Sequence, residues 1–343
     1  MSLKPRPPDY GMLLQKLQST GSDHLVLEVS DKDFTERDWS RIGRFLCNRA
    51  GSFGADGIGV LNRRSDHSDR MNLLAVTPDG NFPSLCINAA LCSAAFADLN
   101  NPDCSQVELI NQRNRYSTNS IALDETEIRK VTFGSFFARE VDPQELFRIS
   151  LQDIRSIFAE TGLAEAELRF FDIGTPQIHF GATEIVESQL QTLAERLGTV
   201  QAARDGINVT AVGLAHGKVL ARTFERGGGG LTQSCASASS CAAIFAGKQH
   251  GSSRPISVVT KGGPFEIEIT RTAPREFSAK IQGLVSPVYK VEIDLDLVAN
   301  AKSEPQTLTT AKKTAFPDAI LRHEELRTET LASSGFNDWC TSK

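Results

Sequence analysis

Two stretches of the chain follow one template. Ser84-Leu85-Cys86-Ile87-Asn88-Ala89-Ala90-Leu91-Cys92-Ser93-Ala94-Ala95-Phe96 in the first half answers Ser234-Cys235-Ala236-Ser237-Ala238-Ser239-Ser240-Cys241-Ala242-Ala243-Ile244-Phe245 in the second. Aligning Cys86 with Cys235 also pairs Ala89 with Ala238, Cys92 with Cys241, Ala94 with Ala243 and Phe96 with Phe245. Composition alone does not supply that agreement, so the chain reads as an internal duplication. Two copies of one fold facing each other across a pseudo-twofold axis bring equivalent atoms to opposite walls of a shared cleft.

That placement gives the cysteines a chemical meaning. Thiols on opposite walls address the two faces of one carbon, one removing a proton while the other delivers one. Cys86 and Cys235 each follow a turn and open an Ala-rich helical run, where unpaired amides and the helix dipole favour an anion and are expected to lower a thiol pKa. Two helix starts facing one cleft also suit a substrate carboxylate, which points to an α-amino or related carboxylic acid. Two such low-pKa thiols are expected to oxidise readily to a disulfide. Cys92 and Cys241, deeper in the same runs, read as small buried hydrophobes.

Other chemistries fit less well. Seven cysteines in a chain of 343 residues with no secretory signal do not suggest a disulfide framework. The repeated C-x5-C spacing puts its cysteines on different faces of a helix and lacks zinc knuckles, so no metal is expected. Net charge −5 with no dense basic stripe argues against nucleic acid. Nothing resembles a signal peptide or a membrane span, which makes the cytoplasm the default address. Gly227-Gly228-Gly229-Gly230 lacks the P-loop Lys-Ser/Thr and the dinucleotide fingerprint; it reads as a loop allowing close approach to substrate.

Periodicity predicts an α+β fold in which short strands surround one central helix per half. Strands are predicted at 24–29, 58–61, 71–76, 169–173, 207–212 and 218–224, and helices at 35–47 and 143–161. The last 50 or so residues read as an extension with a short helix at 317–330, either disordered, a lid or a partner-binding arm.

Phe45-Leu46-Cys47-Asn48-Arg49 through Gly54-Ala55-Asp56-Gly57-Ile58, Pro78-Asp79-Gly80 before Cys86-Ile87-Asn88, Gly174-Thr175-Pro176, Asn208-Val209, and Phe224-Glu225-Arg226-Gly227 before Ser234-Cys235 resemble the diaminopimelate epimerase family in order and spacing, from about Gly21 to about Ile293. The resemblance implies two pseudo-symmetric domains, each a mixed or antiparallel sheet wrapped around a central helix. The divisions expected are 10–135 and 136–283, with 284–295 returning to the first domain and 296–343 as the extension. It further implies a cofactor-independent, pyridoxal-phosphate-free racemase or epimerase acting on diaminopimelate or another amino acid, for which a homodimer is a possible assembly.

Position by position, Cys86 and Cys235 match the family's catalytic cysteines and Glu225 its acidic residue beside them. Arg226 and Asn208 match residues that hold the far end of the substrate. Asn88 and Ser237 keep polar positions after the cysteines, while Ile87 and Ala236 replace glycines; Ile87 is expected to narrow the cleft. Ser22, Thr77 and Thr175 stand where the family has Asn, and Gln177 where it has His. Gln cannot titrate, so the role of that His is lost or moved, His179 being the nearest histidine, although a structural role for His179 is favoured. Diaminopimelate and another amino acid remain open as substrate. An isomerase of a non-amino carboxylic acid and a non-catalytic ligand-binding paralogue are the alternatives.

Overall fold

The computed structural model describes residues 12–29, 34–51, 53–63, 70–111, 114–147, 149–163, 166–199, 206–226, 230–250, 254–295, 298 and 313–342. Gly227 to Gly229 of the glycine run, and the extension between 299 and 312, lie outside the described residues.

The first half runs β1 (Met12–Ser19), β2 (Ser22–Glu28), α1 (Glu36–Leu46), β3 (Gly57–Arg63), β4 (Arg70–Val76), α2 (Ile87–Asn100), β5 (Gln106–Asn111), β6 (Asn114–Ala122) and β7 (Arg129–Glu140). After two short helices, α3 (Pro143–Phe147) and α4 (Leu151–Glu160), the pattern repeats. It passes through β8 (Leu168–Asp172), β9 (Pro176–Gly181), the two-residue β10 (Ile185–Val186), α5 (Glu187–Gly198), β11 (Asn208–Ala215), β12 (Lys218–Glu225) and the two-residue β13 (Gly230–Leu231). α6 (Ala236–His250), β14 (Ile256–Thr260), β15 (Gly263–Ala273) and β16 (Glu276–Ile293) complete it.

Strand pairing repeats with the elements. The parallel pair β2–β3 corresponds to β9–β11, and antiparallel β3–β4 to β11–β12. Parallel β4–β5 corresponds to β12–β14, and antiparallel β5–β6 to β14–β15. The register sets Ile58 opposite Val76 and Val209 opposite Phe224. Gly57 and Asn208, Thr77 and Glu225, and His24 and Gln177 are therefore structural twins, the last pair because His24 faces Gly57 and Gln177 faces Asn208.

The long final strands cross between halves. Val285–Ile293 of β16 pairs with β1, and Glu276–Val285 pairs with β7. β7 in turn reaches β8 through Arg139 and Glu140. Each half thus closes on itself around its helix, which leaves few free strand edges. Both central helices are apolar on every side, as expected inside a barrel: Ala89 through Ala97 are all buried, as are Ala238 through Ala246. Small side chains permit the close fit. A Cβ on Gly59 would stand 2.6 Å from Ser93 Oγ.

Local chemistry explains most boundaries. Thr35 caps α1 in a reciprocal box with Asp38. The helix predicted over 143–161 is instead two helices, because Ser150 caps α4 by accepting from Asp153 N–H and so restarts the chain.

Residues 313–342 of the extension are docked on the body of the protein. β17 (Thr314–Ala315) adds to β16, and α7 (Pro317–Ser334) packs on β15 and β16. α8 (Phe336–Trp339) and β18 (Cys340–Thr341), paired with β10, follow. The Trp339 indole donates to the Ala182 carbonyl at 3.0 Å and lies against Gly213, where a Cβ would come within 2.3 Å of it. No helix among the described residues is long and apolar enough to cross a membrane.

His323 of α7 is buried with Nδ1 3.0 Å from Ser286 Oγ of β16. Burial pushes its pKa down to about 4; Glu324 opposes that fall and Arg327 adds to it. A released helix would bind a proton below pH 6.5 that the docked one refuses, so docking weakens as pH falls from 6.5 towards 4. Hydrogen exchange over 317–334 should therefore lose one to two orders of magnitude of protection between pH 7 and pH 4.5, and His323→Gln should remove that pH dependence while other segments keep theirs.

Candidate active site

Both central helices begin at a cysteine. Cys86 is the N-cap of α2, in extended conformation, and Cys235 directly precedes Ala236, the first residue of α6. The two helix starts are adjacent: the Asn88 side-chain amide donates to the Ser234 carbonyl at 3.4 Å. Across the same gap, Ser84 Oγ lies 3.5 Å from the Gly174 carbonyl. The carboxyl group of Glu225 hydrogen-bonds the Cys235 thiol, and its charge also reaches Cys86. One carboxyl group is therefore shared electrostatically by sulfurs from the two halves.

The thiols are not acidic. Burial pushes Cys86 up to about 11, outweighing the Ala89 and Asn88 backbone amides, which act in the lowering direction. Burial and then Glu225 push Cys235 well above the ordinary thiol range, against the Ser237 hydroxyl and the Ala238 amide. The expectation of low-pKa thiols that oxidise readily is corrected: the helix starts act with the predicted sign, but desolvation is larger. Glu225 is itself raised to about 7 by burial. It stands ready to carry a proton near neutrality.

Each remaining candidate has a definite place. Asn208 orients Glu225's neighbourhood, its Oδ1 accepting from Arg226 N–H at 3.0 Å and its Nδ2 lying 3.9 Å from Cys235 Sγ. Ser237 Oγ is 3.2 Å from the same sulfur. Ser22, Thr77, Glu225 and Arg226 line a cavity of about 1290 Å³ at the junction of the halves, together with Asp56 and Ser234. Ser22 Oγ donates to Asp56 at 3.0 Å, and Thr77 is engaged in its own turn with Asp79 and Asn81. Thr175 sits on the bend before β9 and is half-buried. Both cysteines lie behind the residues that line this cavity, as do Ile87, Asn88, Ala236 and Ser237. Ile87 and Ala236 pack in the apolar core, and neither position carries a positive φ, so replacing the family's glycines there does not strain the backbone.

Charged residues frame the cavity mouth. Asp23 binds Lys16 at 2.7 Å and Arg49 at 2.6 Å, and Arg49 also binds Asp56 at 2.6 Å. Burial raises the Asp23 pKa, but the two cations more than reverse it and hold the carboxyl below the usual range.

Sequence reasoning missed His24. It is fully buried on β2 with Nε2 3.7 Å from Cys86 Sγ, and its position beside Ser22 at period-2 spacing was the available signal. His179, by contrast, donates through Nε2 to the Ala238 carbonyl at 2.9 Å and packs edge-on to Phe171. It braces α6. No group of three or more potential metal ligands occurs among the described residues.

Gln177 is fully buried with neither amide atom hydrogen-bonded, and Asn88 Oδ1 is also without a partner. An unsatisfied buried amide costs about 1–3 kcal/mol. Gln177→Met, of similar volume, should leave the free protein as stable or about 1 kcal/mol more stable in urea unfolding; a loss above 1 kcal/mol would show that Gln177 serves the fold and not a ligand.

No protein-family profile matches the chain. It is 26% identical over 255 residues to the diaminopimelate epimerase of Methanothrix thermoacetophila, covering 74% of this chain and 87% of that protein. It is 25% identical over 330 residues to that of Lactiplantibacillus plantarum, covering 89% and 96%. A hydroxyproline epimerase from Agrobacterium vitis, solved with trans-4-OH-L-proline, shares the fold with a TM-score of 0.58 at 12% identity, over 82% of this chain and 90% of that one.

Proposed function

We propose that the chain, a divergent relative of the diaminopimelate epimerases, is an amino-acid racemase or epimerase that inverts an α-carbon with two thiols and needs no cofactor. The observation that carries the reading is the adjacency of the two cysteine-bearing helix starts, joined by the Asn88 amide on the Ser234 carbonyl at 3.4 Å, with the Glu225 carboxyl group acting on both thiols. Paired thiols beside a proton-bearing carboxyl group suit a reaction that must run in both directions.

The roles follow from the surroundings. One sulfur, as thiolate, removes the α-proton, and the opposed thiol protonates the other face. Glu225, raised to about 7, restores the proton of Cys235. Burial, which makes thiolates costly in the free protein, also strengthens every charge interaction once the substrate's ammonium and carboxylate enter. The α-carboxylate would lie against the helix starts, with Arg226 and Asn208 toward the side chain. Ser22, Thr77, Thr175 and Gln177 replace the family's amides and imidazole, so the contacts offered to the side-chain end of the substrate differ from the family's. meso-Diaminopimelate and small amino acids, hydroxyproline included, are the compounds to try.

Incubation with individual L-amino acids and meso-diaminopimelate in heavy water should give α-deuteration of at least one, read by mass spectrometry. Cys86→Ala and Cys235→Ala should each abolish inversion. Glu225→Gln should lower kcat by about 10²–10⁴-fold and remove the limb of the pH profile near 7. No exchange with any compound by wild-type protein would overturn the reading.

A further inference from the structure

We propose that His24 is the proton acceptor for the Cys86 thiol, so that each sulfur of the site has its own titratable partner: an imidazole for Cys86 and a carboxyl group for Cys235. The contact is direct, with Nε2 of His24 3.7 Å from Cys86 Sγ. His24 is buried, at 2% exposure, while Cys86 is half-buried and reachable from solvent. Besides Cys86 the ring has only the Ser22 backbone as a hydrogen-bonding neighbour, and that contact favours the protonated ring. The catalytic part of the inference rests on the two-thiol reading above.

The duplication makes the assignment specific. At the β2/β9 position the first half holds His24 and the second Gln177; at the β4/β12 ends the first holds Thr77 and the second Glu225. The titratable residue has been kept once in each half, at different positions, and each falls beside its own half's cysteine. A fully symmetric site would put the same helper on both sulfurs. This one pairs a potential cation with one sulfur and a potential anion with the other.

Proton bookkeeping closes. His24 Nε2 takes the Cys86 S–H proton, leaving thiolate and imidazolium, which attract strongly away from water. The thiolate takes the substrate α-proton and becomes thiol again. Cys235 gives its proton to the opposite face of the carbanion and recovers one from the protonated Glu225 carboxyl. The protein ends with His24 cationic and Glu225 anionic, and solvent returns a proton from one to the other after release. The reverse reaction runs the same transfers backwards. His24 is thus a positioning and proton-holding residue, acting on substrate through Cys86.

The charges facing this pair are Asp56, Asp23 and Arg49 on His24, and Glu225 and Asp56 on Cys86. Burial, the largest effect, opposes the imidazolium and Arg49 adds to it; Asp56, Asp23 and the Ser22 backbone favour it. In the free protein the neutral pair therefore predominates, with a small, pH-independent population of the ion pair between the two titrations.

Alkylation of Cys86 by iodoacetamide, mapped by mass spectrometry across pH, tests this without any substrate. A lone thiol titrating near 11 would lose reactivity tenfold per pH unit down to pH 6. With His24 as acceptor the wild-type rate should level to a plateau around neutrality, and His24→Gln, which copies the residue at the twin position, should lose the plateau and react at least tenfold more slowly at pH 7. Cys235 should change less than twofold. A wild-type Cys86 rate with no plateau overturns the proposal even if the variant fails to fold, and so does an unchanged rate in folded His24→Gln. On any substrate found by α-deuteration, the variant should lose 10²–10⁴-fold in kcat with KM little altered. Absence of turnover in wild-type protein with the plateau present would sink the racemase reading while leaving the thiol–imidazole pair standing.

Discussion

The pairing of β7 and β16 across the middle of the molecule is the constraint on which everything else depends. Each strand finishes one half and continues against the other: β16 onto β1, β7 onto β8. Because the side chains of a strand alternate, a slip by one residue would turn every buried position outward. The two barrels are consequently fixed in register with each other, and the helices inside them are fixed with the barrels. Cys86 and Cys235 sit at the ends of those helices. Their mutual position is a consequence of strand pairing far from either sulfur.

A buried helix start sets two opposed effects against each other. Amide N–H groups and the dipole stabilise an anion by about 0.3–1 kcal/mol at exposed sites and up to ~2 kcal/mol where partly buried. Desolvation of a charged group is larger. The outcome at both cysteines is a raised pKa, so the sulfurs rest as thiols and become bases only when another group takes their proton. In the proposed reaction that places the burden of activation on the neighbours Glu225 and His24 and not on the helix ends.

Much of the architecture was legible in the sequence. The duplicated Cys/Ala segments foretold two buried helices, because a run such as Ala89 to Ala97 has no polar face to expose, and strand alternation located six strands of the sixteen-stranded sheet within one to three residues. The break in the helix over 143–161 was less visible, since Ser150 and Asp153 form a cap only once the chain has turned there. Ile87 was misread for a related reason: at the first turn of a helix, sequence does not say whether a side chain points into a cleft or the core, and Ile87 points into the core. Docking of the extension depends on Trp339 meeting Gly213 and His323 meeting Ser286, contacts between residues too distant in sequence to suggest one another.

His24 was hidden by the repeat that revealed the cysteines. Matching the halves draws the eye to positions where they agree, whereas the chemistry of a reversible proton transfer is set by positions where they differ. Where the repeat is kept, as at Cys86 and Cys235, the proposed reaction treats two faces of a carbon alike. Where it is broken, as at His24 against Gln177 and Thr77 against Glu225, the two sulfurs acquire partners of opposite charge type. A pair of identical thiols with identical neighbours would share one resting protonation state and both would have to change for each turnover. Unequal neighbours let one sulfur give up its proton inside the site while the other keeps its own. The divergence of the two halves is therefore as informative about mechanism as their common origin is about fold.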